Sequence, residues 1–358
     1  MQQLKGLILS GGTGSRLRPI TYTSAKQLVP VANKPVLFYG IEALAAAGIR
    51  EIGIIISPET GGEIRNVAGE GDRFGVSITY IEQDAPLGLA HAVLTAEDFL
   101  GESPFVMYLG DNLLRDGVTD LVTTFRDESP DALILLTPVK DPENYGVAEL
   151  DGDSRVARLV EKPKEPKSDL ALVGVYMFTP SIFDAARAIE PSGRGELEIT
   201  DAIQYLVDRS LRVDPHIVHG WWKDTGQVQD MLEANHLILD DITERIEGEL
   251  IDSRVDGRVV VEPGARLERA TVRGPAVIGA GAVLRDAYIG PYTSVGPGVR
   301  IEGAEVEYSI VLEGSSITNL EGRIEASLVG KNVAIHHSPA MPRAYRFVVG
   351  DNAVIEIL

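Results

Sequence analysis

The last third of the chain carries a repeat of aliphatic residues, and this repeat restricts the possible folds more than any other feature. Aliphatic residues recur in three rows, at intervals of 16 to 18 residues within a row. The rows are Val261, Ile278, Val295, Val311 and Val329; Leu267, Leu284, Ile301, Ile317 and Ile335; and Val272, Ile289, Val306 and Ile324. In a stacked coil, each corner buries one aliphatic side chain against the coil above. The pattern therefore predicts a coil of short parallel strands.

The rows resemble the hexapeptide repeats of left-handed parallel β-helices. Glycines occupy the predicted turns, where a Cβ would clash, at Gly279, Gly290, Gly296, Gly314 and Gly330. A β-sandwich would instead show two-residue alternation and hairpin turns. We therefore predict that residues 246–358 form an all-β domain, a left-handed parallel β-helix.

The first two thirds of the chain alternate apolar runs with helical patterns. Buried strands are predicted at Leu7–Leu9, Ile52–Ile56, Ile78–Ile81, Phe105–Leu109 and Leu133–Leu136. Helices are predicted at Val36–Gly48, Gly61–Ala68 and Leu89–Phe99. Such alternation implies an α/β fold with a doubly wound, mostly parallel, Rossmann-like sheet that binds ligands at the carboxyl ends of its strands. We assign this domain to residues 1–245.

Composition excludes several classes of function. The 358 residues include 33 Lys and Arg against 53 Asp and Glu, a net charge of −20, which repels nucleic acid. Cysteine is absent, which excludes disulfides, thiolate nucleophiles and Cys-ligated zinc. No run approaches the ~18 apolar residues of a membrane span. The apolar stretch in MQQLKGLILSGG is too short for a secretory signal, so we expect no membrane partner and a cytoplasmic location.

One segment of this acidic chain is cationic. Residues 1–41 contain no Asp or Glu, yet they include Lys5, Arg16, Arg18, Lys26 and Lys34. Gly11, Gly12 and Gly14 follow the first predicted strand and leave backbone N–H groups open to phosphate oxygens. The turn is neither a P-loop nor a dinucleotide fingerprint, because Gly-Lys-Ser/Thr is missing and Leu17 replaces the last glycine. Arg16 and Lys26 can neutralise phosphates, which predicts an anionic small-molecule ligand.

Eight ordered motifs resemble those of the sugar-1-phosphate nucleotidyltransferases. The first, LSGGTGSRLRPITYTSAKQLVPVANKPVLFY, spans residues 9–39. The others are EQDAPLGLAHAV (82–93), LGDN (109–112), YGV (145–147), EKP (161–163), VGVY (173–176), RGELEITD (194–201) and WKDTG (222–226). The set is most similar to the thymidylyltransferase branch that uses dTTP and glucose 1-phosphate, and the β-helix matches the long form of that branch.

The resemblance implies a role for each motif. Arg16, Lys26 and Lys162 would be the catalytic cations. Asp111 and Asp224 would hold Mg²⁺, which typically takes one or two carboxylates together with substrate phosphates. Substrate binding is assigned to Gly11, Gly12, Gly14, Ser15, Gln27, Gln83, Gly88, Asn112, Tyr145, Gly146, Glu161, Val173, Tyr176 and Arg194. Of these, Gln83 and Gly88 would read the base, and the residues from Tyr145 onward would line the sugar pocket or contact the sugar phosphate.

The implied reaction converts dTTP and glucose 1-phosphate to dTDP-glucose and pyrophosphate. A phosphate oxygen of the sugar phosphate attacks the α-phosphorus in line. That oxygen is already anionic, so catalysis needs positioning and charge stabilisation rather than a general base. The Gln83 amide suits thymine and uracil alike, so the choice between dTTP and UTP stays open, as does the choice among glucose, galactose and glucosamine 1-phosphates.

Two other functions stay open at this point. A bifunctional UDP-sugar pyrophosphorylase and amino-sugar-phosphate acetyltransferase could use His336 or His337 as its base. A non-catalytic regulatory homologue would show damage in its motifs, and Gly11, Arg16, Lys26, Asp111 and Asp224 are all intact. The end coils of a β-helix expose strand-like surfaces, so we also expect a homo-oligomer.

Overall fold

The computed structural model describes residues 3–218, 220–338 and 345–356, and the chain divides into two compact units. The first comprises Met1–Thr13, Ala25–Leu28 and Val36–Asp224. The second comprises Gly14–Ser24, Val29–Pro35 and Thr225–Leu358. Two segments of the amino-terminal signature thus fold with the carboxyl-terminal part of the chain.

Strands of the first unit form one large sheet and one small pair. In chain order they are β1 (Lys5–Leu9), β2 (Glu51–Ile56), β3 (Ser77–Glu82), β4 (Phe105–Leu109), β5 (Asn112–Leu114), β6 (Ala132–Pro138), β7 (Gly146–Leu150), β8 (Val156–Glu161), β9 (Leu170–Phe178), β10 (Val213–Ile217) and β11 (Trp222–Asp224). The large sheet runs β8-β7-β9-β4-β1-β2-β3, with β6 beside β9 and β10 beside β6. Strands β5 and β11 form the small antiparallel pair.

The sheet combines parallel and antiparallel strands. Strands β4, β1, β2 and β3 are mutually parallel. Together with β6, they account for all five predicted strands. Strand β9 runs antiparallel to its neighbours β4, β6 and β7. Strands β7 and β8 are joined by a tight turn in which Asp151 Oδ1 accepts hydrogen bonds from the N–H groups of Asp153 and Arg155. Such a short connection permits only antiparallel pairing, so the sheet is mixed rather than uniformly parallel.

Helices cover both faces of the sheet, which confirms the doubly wound α/β fold. The helices are α1 (Val36–Ala46), α2 (Gly61–Ala68), α3 (Leu89–Thr95), α4 (Glu97–Leu100), α5 (Thr119–Glu128), α6 (Ser181–Ala188) and α7 (Ile199–Asp208). Helices α1, α2 and α5 pack into one core, and α3, α4, α6 and α7 pack into the other. The helix predicted at Leu89–Phe99 is interrupted at Ala96, next to Thr95, whose hydroxyl donates to His91 O. Such back-bonding bends helices.

The second unit contains helix α8 (Val228–Asp240) and the β-helix. One sheet of the β-helix is formed by Arg245–Ile246, Val259–Val261, Ala276–Ile278, Thr293–Val295, Ile310–Val311 and Leu328–Val329. The next is formed by Glu249–Ile251, Arg266–Glu268, Val283–Arg285, Arg300–Glu302, Ser316–Thr318 and Ala334–His336. The third is formed by Arg254–Asp256, Thr271–Arg273, Tyr288–Ile289, Glu305–Glu307 and Arg323–Glu325.

The strand registers confirm all three aliphatic rows and the stacked parallel strands that they predict, as in a left-handed β-helix. Within each row, successive members are direct partners in adjacent coils. The register extends the rows one coil earlier, to Ile246, Leu250 and Val255. A Cβ at Gly279 would lie 2.6 Å from the backbone carbonyl carbon of Gly296 in the next coil, so this corner requires glycine.

Truncating a buried row should strongly destabilise the β-helix. Leu284 is fully buried between Leu267 and Ile301. We expect Leu284→Ala to lower the free energy of unfolding by about 2–5 kcal/mol, because the cavity cannot be filled by its neighbours. Guanidinium denaturation measures this loss. Leu250 occupies the same row on the first coil and is 40% exposed, so Leu250→Ala is the control with a smaller expected loss. Equal losses for the two variants would contradict the packing.

The remaining elements are short. In the first unit these are 3₁₀ turns at Lys26–Leu28, Asp72–Phe74 and Pro142–Asn144. In the second unit, 3₁₀ turns at Ser15–Leu17 and Ile20–Tyr22 precede a small hairpin formed by Pro30–Val31 and Lys34–Pro35. Among the described residues, no helix is both long and apolar enough to cross a membrane.

Candidate active site

Asp111 and Asp224 are brought together by the pairing of β5 with β11. Asp111 follows the end of β4, and the register places Asp224 opposite Asn112. The Lys26 ammonium hydrogen-bonds to Asp111 Oδ2 and lies 3.8 Å from Asp224 Oδ1. Its side chain is only 7% exposed. Three residues that are distant in sequence thus form one charge cluster, in which two partly exposed carboxylates surround one buried cation.

The chemistry of this cluster suits a divalent metal ion. Burial by itself would raise the pKa of Asp111, but the Lys26 charge and hydrogen bonds from Lys26 and Asn112 hold that pKa below its ordinary value. Asp111 is therefore ionised at neutral pH. Two carboxylates that can share one cation offer the hard oxygen donors that Mg²⁺ prefers. Within the described part of the chain, no group of three or more His, Cys, Asp or Glu residues could hold a metal.

Asn112 links Asp111 to two other segments of the chain through hydrogen bonds. Its Nδ2 donates to Asp111 Oδ1 at 2.8 Å, and its Oδ1 accepts from Gly174 N at 3.2 Å and from Trp222 Nε1 at 2.6 Å. A Cβ at Gly174 would lie 2.5 Å from that Oδ1, so glycine is required there. The side chain of Asn112 is engaged with protein groups, which favours a positioning role. Contact with substrate stays a prediction. The sequence motifs did not predict this hydrogen bond of Trp222, although the residue lies in the WKDTG motif.

Gln83 directly follows β3 and lies near Gly11, and Gly88 directly precedes α3. The Gln83 amide nitrogen is 2.9 Å from His91 Nδ1, and a Cβ at Gly11 would lie 3.5 Å from Gln83 Oε1. Gly88 has φ +104°, and a Cβ there would lie 2.7 Å from Leu197 N. The loop at Leu197 therefore demands glycine at residue 88 independently of any nucleotide. Base reading by these two residues stays a prediction.

Replacing Gly88 is expected to damage both stability and nucleotide binding. Gly88→Ala forces a methyl group into the Leu197 backbone at a positive φ, where backbone strain typically costs about 1–3 kcal/mol. We expect a lower melting temperature and a higher Kd for dTTP, both measured by calorimetry. Gly152→Ala is the matched control, because a Cβ there meets no atom within 4 Å. Normal stability of Gly88→Ala would contradict the geometry.

Glu161 is the centre of a second cluster. Its Oε2 accepts from Thr200 Oγ1 at 2.7 Å, and its Oε1 lies 3.2 Å from Arg194 Nη2. Burial, together with the negative charge of Glu198, raises the pKa of Glu161. A Cβ at Gly146 would lie 2.8 Å from Thr200 Oγ1, so YGV, EKP and RGELEITD converge here. Thr200 and Glu198 were missed as individual residues, although RGELEITD contains both.

The cations of this second cluster differ in how their charge is balanced. Arg194 contacts three carboxylates, those of Glu161, Glu196 and Glu198, so its charge is already neutralised by protein groups in this conformation. Lys162 has a side chain that is 45% exposed, with its Nζ 3.9 Å from Glu161 Oε1. Lys162 is therefore the better placed of the two cations to meet an incoming phosphate.

The remaining predicted sugar-pocket residues lie on both faces of the sheet. Val173 packs into the core that contains α1, whereas Tyr176 packs into the opposite core and stacks on Phe178. Both side chains are therefore buried, on opposite faces of the sheet. The Tyr145 ring packs edge-on against Trp222, with centroids 5.7 Å apart. Sugar contacts by all three residues stay predictions.

The glycine turn continues from the first unit into the second. In the first unit, a Cβ at Gly12 would lie 3.8 Å from Nε2 of buried Gln27. In the second unit, Gly14 has φ +63° and precedes the 3₁₀ turn that contains Ser15 and Arg16. Both Ser15 and Arg16 are exposed to solvent. Phosphate binding by this turn stays a prediction.

The chain belongs to the nucleotidyl transferase family, whose sequence profile matches residues 5–241. It is 58% identical over 356 residues to the glucose-1-phosphate thymidylyltransferase of Streptomyces antibioticus, with 99% of each chain covered. It is 54% identical to the enzyme of the same name from Streptomyces griseus, again over 99% of each chain. Both relatives therefore match the β-helix as well as the α/β domain.

A solved structure also matches this chain over part of its length. It is a Bacillus anthracis protein assigned as a glucose-1-phosphate thymidylyltransferase and crystallised in complex with sucrose. The match has 39% identity and a TM-score of 0.63, and it covers 68% of this chain and 97% of that one. The predicted fold, enzyme class and family are thus confirmed. The enzymes of this family act on small molecules and use a divalent metal.

Proposed function

We propose that this chain transfers a thymidylyl group from dTTP to glucose 1-phosphate, forming dTDP-glucose and pyrophosphate with Mg²⁺. The observation that carries the proposal is the pair of carboxylates, Asp111 and Asp224, that share the Lys26 ammonium at the carboxyl edge of the sheet. The full-length similarity to two thymidylyltransferases supports dTTP as the nucleotide.

In this mechanism an oxygen of the sugar phosphate attacks the α-phosphorus of dTTP. A new P–O bond forms as the bond between the α-phosphorus and its bridging oxygen to the β-phosphate breaks, and pyrophosphate leaves with that electron pair. The attacking oxygen is already anionic, so no proton has to be removed. The protein therefore contributes positioning and preorganised charge.

The residues divide this work between the two substrates. Lys162 would aim the phosphate of the sugar phosphate, and Glu161 would accept a hydrogen bond from a sugar hydroxyl. Arg16 and Lys26 would stabilise the charge that develops on pyrophosphate. Asp111 and Asp224 would hold Mg²⁺, which when bound supplies positive charge to the phosphates. Lys26 already lies against both carboxylates, so it can meet phosphates at the same place.

The alternative activities are not better supported than this one. His336 and His337, the candidate bases for acetyl transfer, are exposed at the last coil of the β-helix. Two relatives matched over the full length, β-helix included, are thymidylyltransferases, and a third, from Haloferax volcanii, is a nucleotidyltransferase of low-salt glycan biosynthesis. Our proposal also includes a homo-oligomer and a cytoplasmic location. Exposed Ile246 and Leu250 on the first coil give apolar surface that a second subunit could bury.

A substrate matrix tests the proposal directly. Four nucleoside triphosphates are combined with glucose, galactose and glucosamine 1-phosphates, and pyrophosphate release is followed with Mg²⁺. We expect the highest kcat/KM for dTTP with glucose 1-phosphate. Preference for UTP with glucosamine 1-phosphate, together with acetyl-CoA turnover, would instead establish the bifunctional alternative.

A further inference from the structure

Two parts of the amino-terminal signature fold with the second unit of the chain. Residues 14–24 and 29–35 belong to the same compact unit as α8 and the β-helix. They flank Ala25–Leu28, which carries Lys26, directly along the chain. We call residues 11–35 the nucleotide loop. Contacts that hold residues 14–24 and 29–35 therefore also restrict the backbone on either side of Lys26.

The hairpin at the end of the nucleotide loop is tied to the β-helix. Its turn residues Ala32 and Asn33 have φ +48° and +61°, as a two-residue primed turn requires. Asn33 Nδ2 donates to Val295 O at 2.8 Å. The backbone N–H of Ala32 donates to Asn235 Oδ1 at 2.9 Å. The tip of the hairpin is therefore bonded both to a coil of the β-helix and to α8.

Asn235 joins three elements through one buried amide. The residue is 1% exposed. Besides the bond from Ala32, its Oδ1 accepts from Ser294 Oγ at 2.6 Å, and its Nδ2 donates to Tyr292 O at 2.9 Å. Because a buried amide is costly to leave unpaired, this arrangement fixes the hairpin, α8 and the coil at Tyr292–Val295 relative to one another.

The other segment of the nucleotide loop contacts the carboxyl-terminal end of the chain. A Cβ at Gly330, in the last coil, would lie 3.2 Å from Ile20 Cδ1. Asn352 Nδ2 donates to Tyr22 Oη at 2.9 Å. Thr21 Oγ1 donates to Gly14 O at 2.7 Å, which links this contact to the turn that carries Arg16. Both segments that flank Lys26 within the nucleotide loop are therefore held by the second unit.

We propose that α8 and the β-helix brace the nucleotide loop, and that Asn33 and Asn235 are positioning residues for nucleotide binding. This inference rests on the proposed function, since it assumes that the loop binds dTTP. When only a fraction of molecules has a binding-competent loop, the apparent Kd rises by the inverse of that fraction. The sugar-phosphate residues Glu161 and Lys162 lie outside residues 11–35, so we expect loosening of the brace to weaken nucleotide binding and to spare the sugar phosphate.

Asn33→Gly is the sharpest test. Glycine keeps the positive φ of the turn but removes the bond to Val295 O. By calorimetry without sugar phosphate, we expect the Kd for dTTP to rise about fivefold or more, because one tethering hydrogen bond is lost. The KM for dTTP should rise in parallel, while the KM for glucose 1-phosphate stays unchanged. Asn235→Ala also removes the bonds to Ala32, Tyr292 and Ser294, so we expect it to weaken dTTP binding further.

Asn319→Gly is the matched control. Asn319 has φ +56° at a corner of the β-helix, so the variant makes the same change at an equivalent backbone conformation. Wild-type dTTP binding by Asn33→Gly, equal weakening for both substrates, or an equal effect of Asn319→Gly would each overturn the brace. If Arg16→Ala loses turnover while Asn33→Gly binds dTTP normally, the proposed bracing is wrong but the proposed function is not. If Arg16→Ala retains turnover, the role of the loop in the proposed function is wrong.

Discussion

Asp224→Asn is expected to lower kcat by about 10²–10³-fold, because it removes one of the two carboxylates that would hold the metal and balance Lys26. The substitution preserves side-chain shape, so the pairing of β5 with β11 should persist. Steady-state pyrophosphate release measures the turnover. Binding of Mn²⁺ to the complex with dTTP, followed by electron paramagnetic resonance, should weaken in parallel.

Asp127→Asn is the control for this variant. Asp127 is exposed on α5, and the same chemical change there should leave turnover unaltered. Turnover of Asp224→Asn within about threefold of wild type would contradict the assignment, because loss of a charge-stabilising group typically costs ~2.7–4 kcal/mol of barrier. Unchanged Mn²⁺ binding with reduced turnover would instead limit Asp224 to orienting Lys26.

Arg16→Ala is expected to reduce kcat by a similar factor of about 10²–10³ while the fold is retained. Arg16 is exposed in the glycine turn, so its removal leaves no cavity and no buried unpaired group. Its proposed contribution is charge presented to the phosphates of dTTP, which would matter most as pyrophosphate leaves. Turnover assays at saturating dTTP separate this effect from a loss of binding.

Arg126→Ala provides the comparison for Arg16→Ala. Arg126 is exposed in the last turn of α5, so this variant removes one surface guanidinium without touching the glycine turn. We expect wild-type kinetics. If Arg16→Ala keeps turnover within about threefold of wild type, pyrophosphate is stabilised by other groups, since one such donor is typically worth 10²-fold or more.

Local patterns account for the parts of the fold that the sequence predicted correctly. The aliphatic rows repeat because each coil stacks on the one before it, so their spacing specifies strand partners directly. The strands of the α/β domain are short runs buried on both faces, which a single stretch of sequence reveals. The antiparallel direction of β9 could not be predicted in this way, because periodicity predicts a strand but not the orientation of its partners.

The motifs located the candidate site but not its connections. Asp111 and Asp224 could be named from LGDN and WKDTG, because family motifs persist where chemistry restricts residue type. That Lys26 lies between them depends on the pairing of β5 with β11. The bonds from Trp222 and Gly174 to Asn112, and the three carboxylates around Arg194, likewise join separate segments of the chain.

The sequence by itself therefore determined the β-helix, the α/β class, the family resemblance and the residue types of the site. Tertiary structure alone decided which charges are shared, which face of the sheet each side chain occupies, and that segments of the nucleotide loop fold with α8 and the β-helix. The physical reason is the separation along the chain between the interacting residues. Periodicity and motifs are set by neighbouring residues, whereas charge balance and buried hydrogen bonds depend on groups that only folding brings within a few ångströms.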